Sequence, residues 1–159
     1  MDRTSTLDSI LSRQLGWIAA ADAKSSFIFP VAAAMLGLLA ALAPEKSNWT
    51  ISAAIFSSVA TLLLALSIIF CALAAFPRTK GTRGSNIYCD GIASKDADQY
   101  LKEMKSLTDD AYNTDLARQC HINATIASAK FKWIKFALGA IFAAAAPWVM
   151  SVYLLYGIA

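Results

Sequence analysis

Thr50–Phe76 reads TISAAIFSSVATLLLALSIIFCALAAF, and none of its residues is charged. Wound as a helix at about 1.5 Å per residue, it is longer than the roughly 30 Å hydrocarbon layer of a bilayer. A soluble helix of that length would show a polar face to water. Beyond the terminal Thr50, the hydroxyls of Ser52, Ser57, Ser58, Thr61 and Ser67 are the polar side chains here, and each can bond back to its own helix. The stretch therefore predicts a membrane span, and the rest of the chain is placed relative to it.

The composition agrees. Of 159 residues 57% are hydrophobic and 16% charged, and the apolar excess sits in blocks rather than in a periodic pattern. The net charge of +3 comes without a basic tract of the kind nucleic acid requires, so no nucleic-acid partner is expected. Cys71, Cys89 and Cys120 lack paired or metal-ligand spacing and are expected as free thiols. The polar opening MDRTSTLDS does not resemble a cleavable signal, which would place its apolar block directly behind a basic end.

Upstream, Ser25–Ala43 (SSFIFPVAAAMLGLLAALA) is a first span with Pro30 one turn inside and a small-residue side of Ala32, Ala33, Ala34, Gly37, Ala40 and Ala41. The short turn Pro44–Trp49 makes the two spans an antiparallel hairpin. Before them, residues 6–22 have helical periodicity, with Leu7, Ile10, Leu11, Gln14, Ile18 and Ala21 on one stripe and Arg13, Trp17 and Lys24 on another. Downstream, Pro77 ends the second span. A short extended piece is expected at Asn86–Cys89 and a helix from about Ser94. A long helix capped by Thr108 then runs into a third span, Phe136–Tyr156, with Pro147 inside. The expected class is an all-α membrane protein of four parts: a cytoplasmic amphipathic helix (1–24), a transmembrane hairpin (25–76, spans 25–43 and 50–76), a cytoplasmic helical insertion (77–135) and a third span (136–159).

Basic residues orient it. Arg3, Arg13 and Lys24 precede the first span. Arg78, Lys80, Arg83, Lys95, Lys102, Lys105, Arg118, Lys130, Lys132 and Lys135 lie between the second and third, and the opposite side has Lys46 alone. The positive-inside rule puts the N-terminus and residues 77–135 in the cytoplasm and the C-terminus outside.

No catalytic motif is present: there is no HExxH, P-loop, GxSxG or paired-carboxylate site, so no enzyme, cofactor or metal is expected. His121 is the single histidine. It adjoins Cys120, and neighbouring helical residues point about 100° apart, which keeps both from one metal ion. Polar residues on inward faces are sharper. Gln119, Asn123 and Lys130 share a stripe with Leu116 and Ile126, and Asp22 lies beside Leu11, Leu15 and Ile18. Such groups need partners. One reading is an interhelical pair such as Asp22 with Lys130. The other is a small ligand pocket in which Lys24, Arg78 or Lys130 meets an anion and Asn123 or Gln119 reads a planar polar ring.

Four segments, in order, carry a resemblance. ADAKSS (Ala21–Ser26), FPR (Phe76–Arg78), SNIYCDGIA (Ser85–Ala93) and DLARQCHINATIASAKFKWI (Asp115–Ile134) resemble the Pycsar transmembrane effectors. The resemblance implies a bacterial inner-membrane protein that acts against phage. It also implies a partner cyclase making cyclic UMP or cyclic CMP, activation by that cyclic pyrimidine mononucleotide, and death of the infected cell through membrane damage. Driving a two-state switch from one extreme to the other takes roughly 5.5 kcal/mol of differential binding. That is a large demand on one small ligand, so a homo-oligomer in the lipid bilayer is expected. Two other readings remain beside this one: an assembly subunit of a larger membrane complex, and a constitutive holin-like pore-former. A transporter is disfavoured, since no charged residue lies within the spans and no inverted repeat is visible.

Overall fold

In the computed structural model, which describes residues 3–76 and 84–157, the regular elements among the described residues are all helical. They are α1 (Arg3–Ala41), a single 3₁₀ turn (Lys46–Asn48), α2 (Ile51–Ala75), α3 (Cys89–Ala93), α4 (Ala97–Lys105) and α5 (Asp109–Tyr156). Three of them, α1, α2 and α5, are long and apolar enough to cross a membrane. The all-α membrane class expected from the sequence is thus the class observed.

Two compact units emerge: residues 3–20 with 84–129, and residues 21–76 with 130–157. The second is apolar. Its α2 starts where the Thr50 hydroxyl accepts the Ala53 N–H at 3.3 Å, and ends at Ala75 with Phe76 as its cap, the residue before Pro77. The α5 segment runs antiparallel to α2, as two contacts show: Ser57 hydroxyl with Ser151 hydroxyl, and Ser67 hydroxyl donating to the Ala137 carbonyl at 2.9 Å. The α1 segment runs parallel to α5, with the Trp148 indole N–H donating to the Met35 carbonyl at 3.0 Å. Ser57 and Ser67 therefore bond across to a neighbouring helix rather than only within their own. Small residues at the seam bring α2 and α5 close enough for this.

The distribution of size in this unit is inverted relative to a soluble protein. Ala32, Ala53, Ala60, Ala137 and Ala144 are fully buried between the helices, while Phe27, Ile51 and Phe142 are more than 70% exposed on the outside. Lipid tails accept large apolar side chains, so the hydrophobic effect does not pull them inward. Close backbone packing favours alanine at the contacts instead. Pro30 and Pro147 lie inside α1 and α5 without interrupting either; each costs one backbone bond, which membrane helices tolerate among neighbours.

The first unit is polar. Its α1 segment also runs parallel to α5, fastened by the Thr4 hydroxyl donating to Asn113 Oδ1 at 2.9 Å and the Cys120 thiol to the Leu7 carbonyl at 3.6 Å. The α1 stripe that faces inward here is the stripe read from the sequence, with Gln14 buried and Leu7, Ile10, Leu11 and Ile18 partly so; its last member, Ala21, is buried in the second unit. The amphipathic segment and the first span form one helix, because residues 19–26 contain no breaker. The extended piece expected at Asn86–Cys89 is instead a tight turn leading into α3, and α4 begins at Ala97 behind an Asp96 cap that accepts the Gln99 N–H at 2.7 Å.

A test of the inverted packing follows. Ala60→Leu and Ala144→Leu, placed in filled helix contacts, should each destabilise the detergent-solubilised protein by about 1–3 kcal/mol. Phe142→Leu, facing outward, should change it by less than about 0.5 kcal/mol. Thermal unfolding followed by circular dichroism reads both.

Candidate functional site

The sequence-selected residues fall into separate sets. In the apolar unit, Lys130 forms an ion pair with Asp22. The ammonium is 11% exposed and the carboxylate 50% exposed, so Lys130 is sheltered and Asp22 reaches solvent. Lys24 lies exposed nearby with its ammonium 5.4 Å above the Phe131 ring, a cation–π contact. In the polar unit, Gln119 donates to Asn123 Oδ1 at 3.1 Å. Both amides are more than nine-tenths buried, as is Gln14 on α1. Gln14 Oε1 and Gln119 Oε1 are buried acceptors without a hydrogen-bond partner. Arg78 lies outside the described residues. The interhelical reading of Asp22 and Lys130 is therefore realised as a contact, whereas Gln119 and Asn123 belong to a different unit.

Cys120 and His121 diverge as their adjacency on a helix requires. Cys120 is buried, and burial followed by the charge of Asp8 raises its thiol pKa. His121 is exposed and lines a cleft of about 530 Å³ with Arg3, Thr114, Ala117, Arg118 and Ile122. A second cleft of about 290 Å³ shares Thr114 and Arg118 and adds Ser85, Asn86 and Asp115 among its walls.

The wall at Ser85 and Asn86 is built by a knot of hydrogen bonds. Asp115 Oδ2 accepts the Ser85 hydroxyl and the Asn86 N–H, both at 2.9 Å. The Ser85 hydroxyl in turn accepts the N–H groups of Ile87 and Tyr88 at 3.1 and 3.0 Å, which turns the chain into α3. Lys95, only 6% exposed at its side chain, donates to the Gly84 carbonyl at 3.0 Å, to Asn86 Oδ1 at 2.6 Å and to Glu103 Oε2 at 2.6 Å. Gly84 takes φ +77°, the left-handed region that glycine occupies without strain. Gly91 backs onto the turn so closely that a Cβ there would lie 2.6 Å from the Ser85 carbonyl oxygen. Hydrogen bonds from Lys95 first, and Gln99 second, hold the Glu103 carboxyl below its ordinary pKa.

Sequence reasoning did not join these residues into a site: it used Arg3 and Arg118 for topology and weighed His121 only as a metal ligand. The signal lay in Asp115 and Arg118, three apart on one helix face, and in the pair Ser85 and Gly91, whose closeness only the folded turn reveals.

The fold and site define a helical membrane protein with a polar, cleft-bearing unit. The family described as the Pycsar effector protein domain (PycTM) matches residues 6–157. The chain belongs to that family, which makes it an antiviral effector of the membrane in a cyclic-nucleotide signalling context, and the family is not an enzyme family as such. No curated protein and no solved structure matches it.

These contacts make three testable predictions. Asp22→Ala leaves Lys130 sheltered and unpaired, and should destabilise by about 1–2 kcal/mol after allowing for the exposure of Asp22. The double variant Asp22→Ala/Lys130→Met should recover part of that loss in a double-mutant cycle of thermal unfolding. At the knot, Gly91→Ala and Lys95→Met should each speed amide hydrogen exchange at residues 85–91 by tenfold or more. Because the Glu103 carboxyl titrates below its unfolded value, its share of stability is complete above the ordinary carboxylate range. That share is lost as the pH falls through the lower folded value. Lys95→Met should remove the larger part of this component from the melting temperature's dependence on pH, leaving the part due to Gln99.

Proposed function

We propose that the protein is an abortive-infection effector of the bacterial inner membrane, switched on by cyclic UMP or cyclic CMP from a partner cyclase. The observation that carries this reading, beside family membership, is that α1 and α5 are each one uninterrupted helix. Each begins among polar side chains and ends among apolar ones. Ligand binding on the polar part shifts the packing of α1 against α5, and an unbroken helix carries that shift along its length.

In this proposal the N-terminus and residues 77–135 face the cytoplasm, where the messenger is made, and the C-terminus faces the periplasm. The proposed parts are 1–24, 25–76, 77–135 and 136–159. Asp22, Gln119, Asn123 and Lys130 hold the resting register of the helices and respond to the ligand. Lys24 and Arg78 supply positive charge for it. Several copies assemble, so that the differential binding of several ligands adds, and the assembled form breaches the membrane.

The test is a membrane-potential dye in cells expressing the protein together with an active or an inactivated pyrimidine cyclase. Depolarisation with the active cyclase alone is the expected result. Depolarisation with either cyclase would identify a constitutive pore-former, and its absence with both would remove the proposed trigger.

A further inference from the structure

We infer that the cleft lined by Arg3, Arg118 and His121 takes the anionic end of a mononucleotide, and that the adjoining cleft beside Asp115 takes its base. This rests on the activation proposed above, but moves the anion's contacts from Lys24 and Arg78 to Arg3 and Arg118.

The two clefts share Thr114 and Arg118, so a ligand in one extends into the other. Their chemistry differs. The first presents two guanidinium groups and an imidazole beside the apolar Ala117 and Ile122. The second presents the Asp115 carboxylate and the Ser85–Asn86 turn. Both are open surface depressions, of about 530 and 290 Å³, so a ligand would lie along them rather than be enclosed.

Position, together with charge, sets Arg118 apart. Lys95 and Lys130 are each spent on a carboxylate, and Arg3 is held loosely to Asp110 at 3.9 Å. Among the described residues Arg118 has no carboxylate oxygen within 4 Å, although it lines both clefts. A lone surface arginine is ordinary. One that stands where two concavities meet, with a second arginine and a histidine on the same wall, suits a phosphodiester carrying one negative charge.

The other end is set in advance. The bonds from Ser85 and Asn86 to Asp115 Oδ2 fix the direction of that carboxylate before any ligand arrives. A carboxylate accepts from the exocyclic amine of cytosine or the ring N–H of uracil, which both pyrimidines carry on the same edge. Lys95 and Gly91, which hold the turn in place, act here as positioning residues.

An anionic lipid headgroup offers the same phosphate chemistry as a free nucleotide, so the test separates the two. Full-length protein in phosphatidylcholine nanodiscs is titrated calorimetrically with cyclic UMP and cyclic CMP, then with uridine, with inorganic phosphate, and again in nanodiscs containing phosphatidylglycerol. The wild type should bind a cyclic nucleotide in phosphatidylcholine. Uridine and inorganic phosphate should each bind at least tenfold more weakly, and phosphatidylglycerol should leave the nucleotide affinity within twofold. Arg118→Gln should weaken binding about tenfold or more. Ala117→Phe, which fills the first cleft, should do the same while helicity is retained, and Lys132→Gln, outside both clefts, should bind as wild type. If the wild type binds and both Arg118→Gln and Ala117→Phe match it within twofold, the location is wrong while the activation proposal survives. Strong competition from phosphatidylglycerol would make the cleft a lipid site. A wild type that binds neither nucleotide would overturn the activation proposal itself.

Discussion

A helix in hydrocarbon has no water with which to satisfy its backbone, and no hydrophobic force to press it against a neighbour. What remains is close contact, and close contact needs small side chains. The apolar unit largely obeys this. Most of its buried positions are alanine and serine, interleaved with Ile28, Leu39, Leu64, Ile134 and Leu155, while Phe27, Ile51, Ile55 and Phe142 point outward.

That constraint explains how much of the fold was legible in the sequence. Uncharged length is a one-dimensional property, so Thr50–Phe76 announced a span without any knowledge of neighbours. Periodicity is local too, and the α1 stripe of Leu7, Ile10, Leu11, Gln14, Ile18 and Ala21 faces inward as read. The turn at Ser85–Tyr88 could not be read this way. Its conformation is set by Asp115, 30 residues away, and by the absence of a side chain at Gly91. A run containing Ile87 and Tyr88 has β propensity, and long-range hydrogen bonds override it. The clefts were hidden for the same reason. Arg3 and Arg118 are distant in sequence, and each alone looks like a solvated charge or a marker of topology.

The polar pairs illustrate two outcomes of one rule. Buried polar groups need partners. Lys130 finds Asp22, and Gln119 finds Asn123, but Gln14 and Gln119 each keep an unpartnered carbonyl oxygen.

The serine fastenings between α2 and α5 carry a related consequence. Ser57 meets Ser151, and Ser67 meets the Ala137 carbonyl, at different depths of the same seam. Each of these hydroxyls has a second option, the carbonyl one turn back on its own helix. Parting the two helices therefore strands no donor in oil, because every fastener can fold back onto the strand of the zipper it came from. The seam is closed by bonds that can be exchanged, and in a lipid environment that is the kind of closure that can be undone and remade.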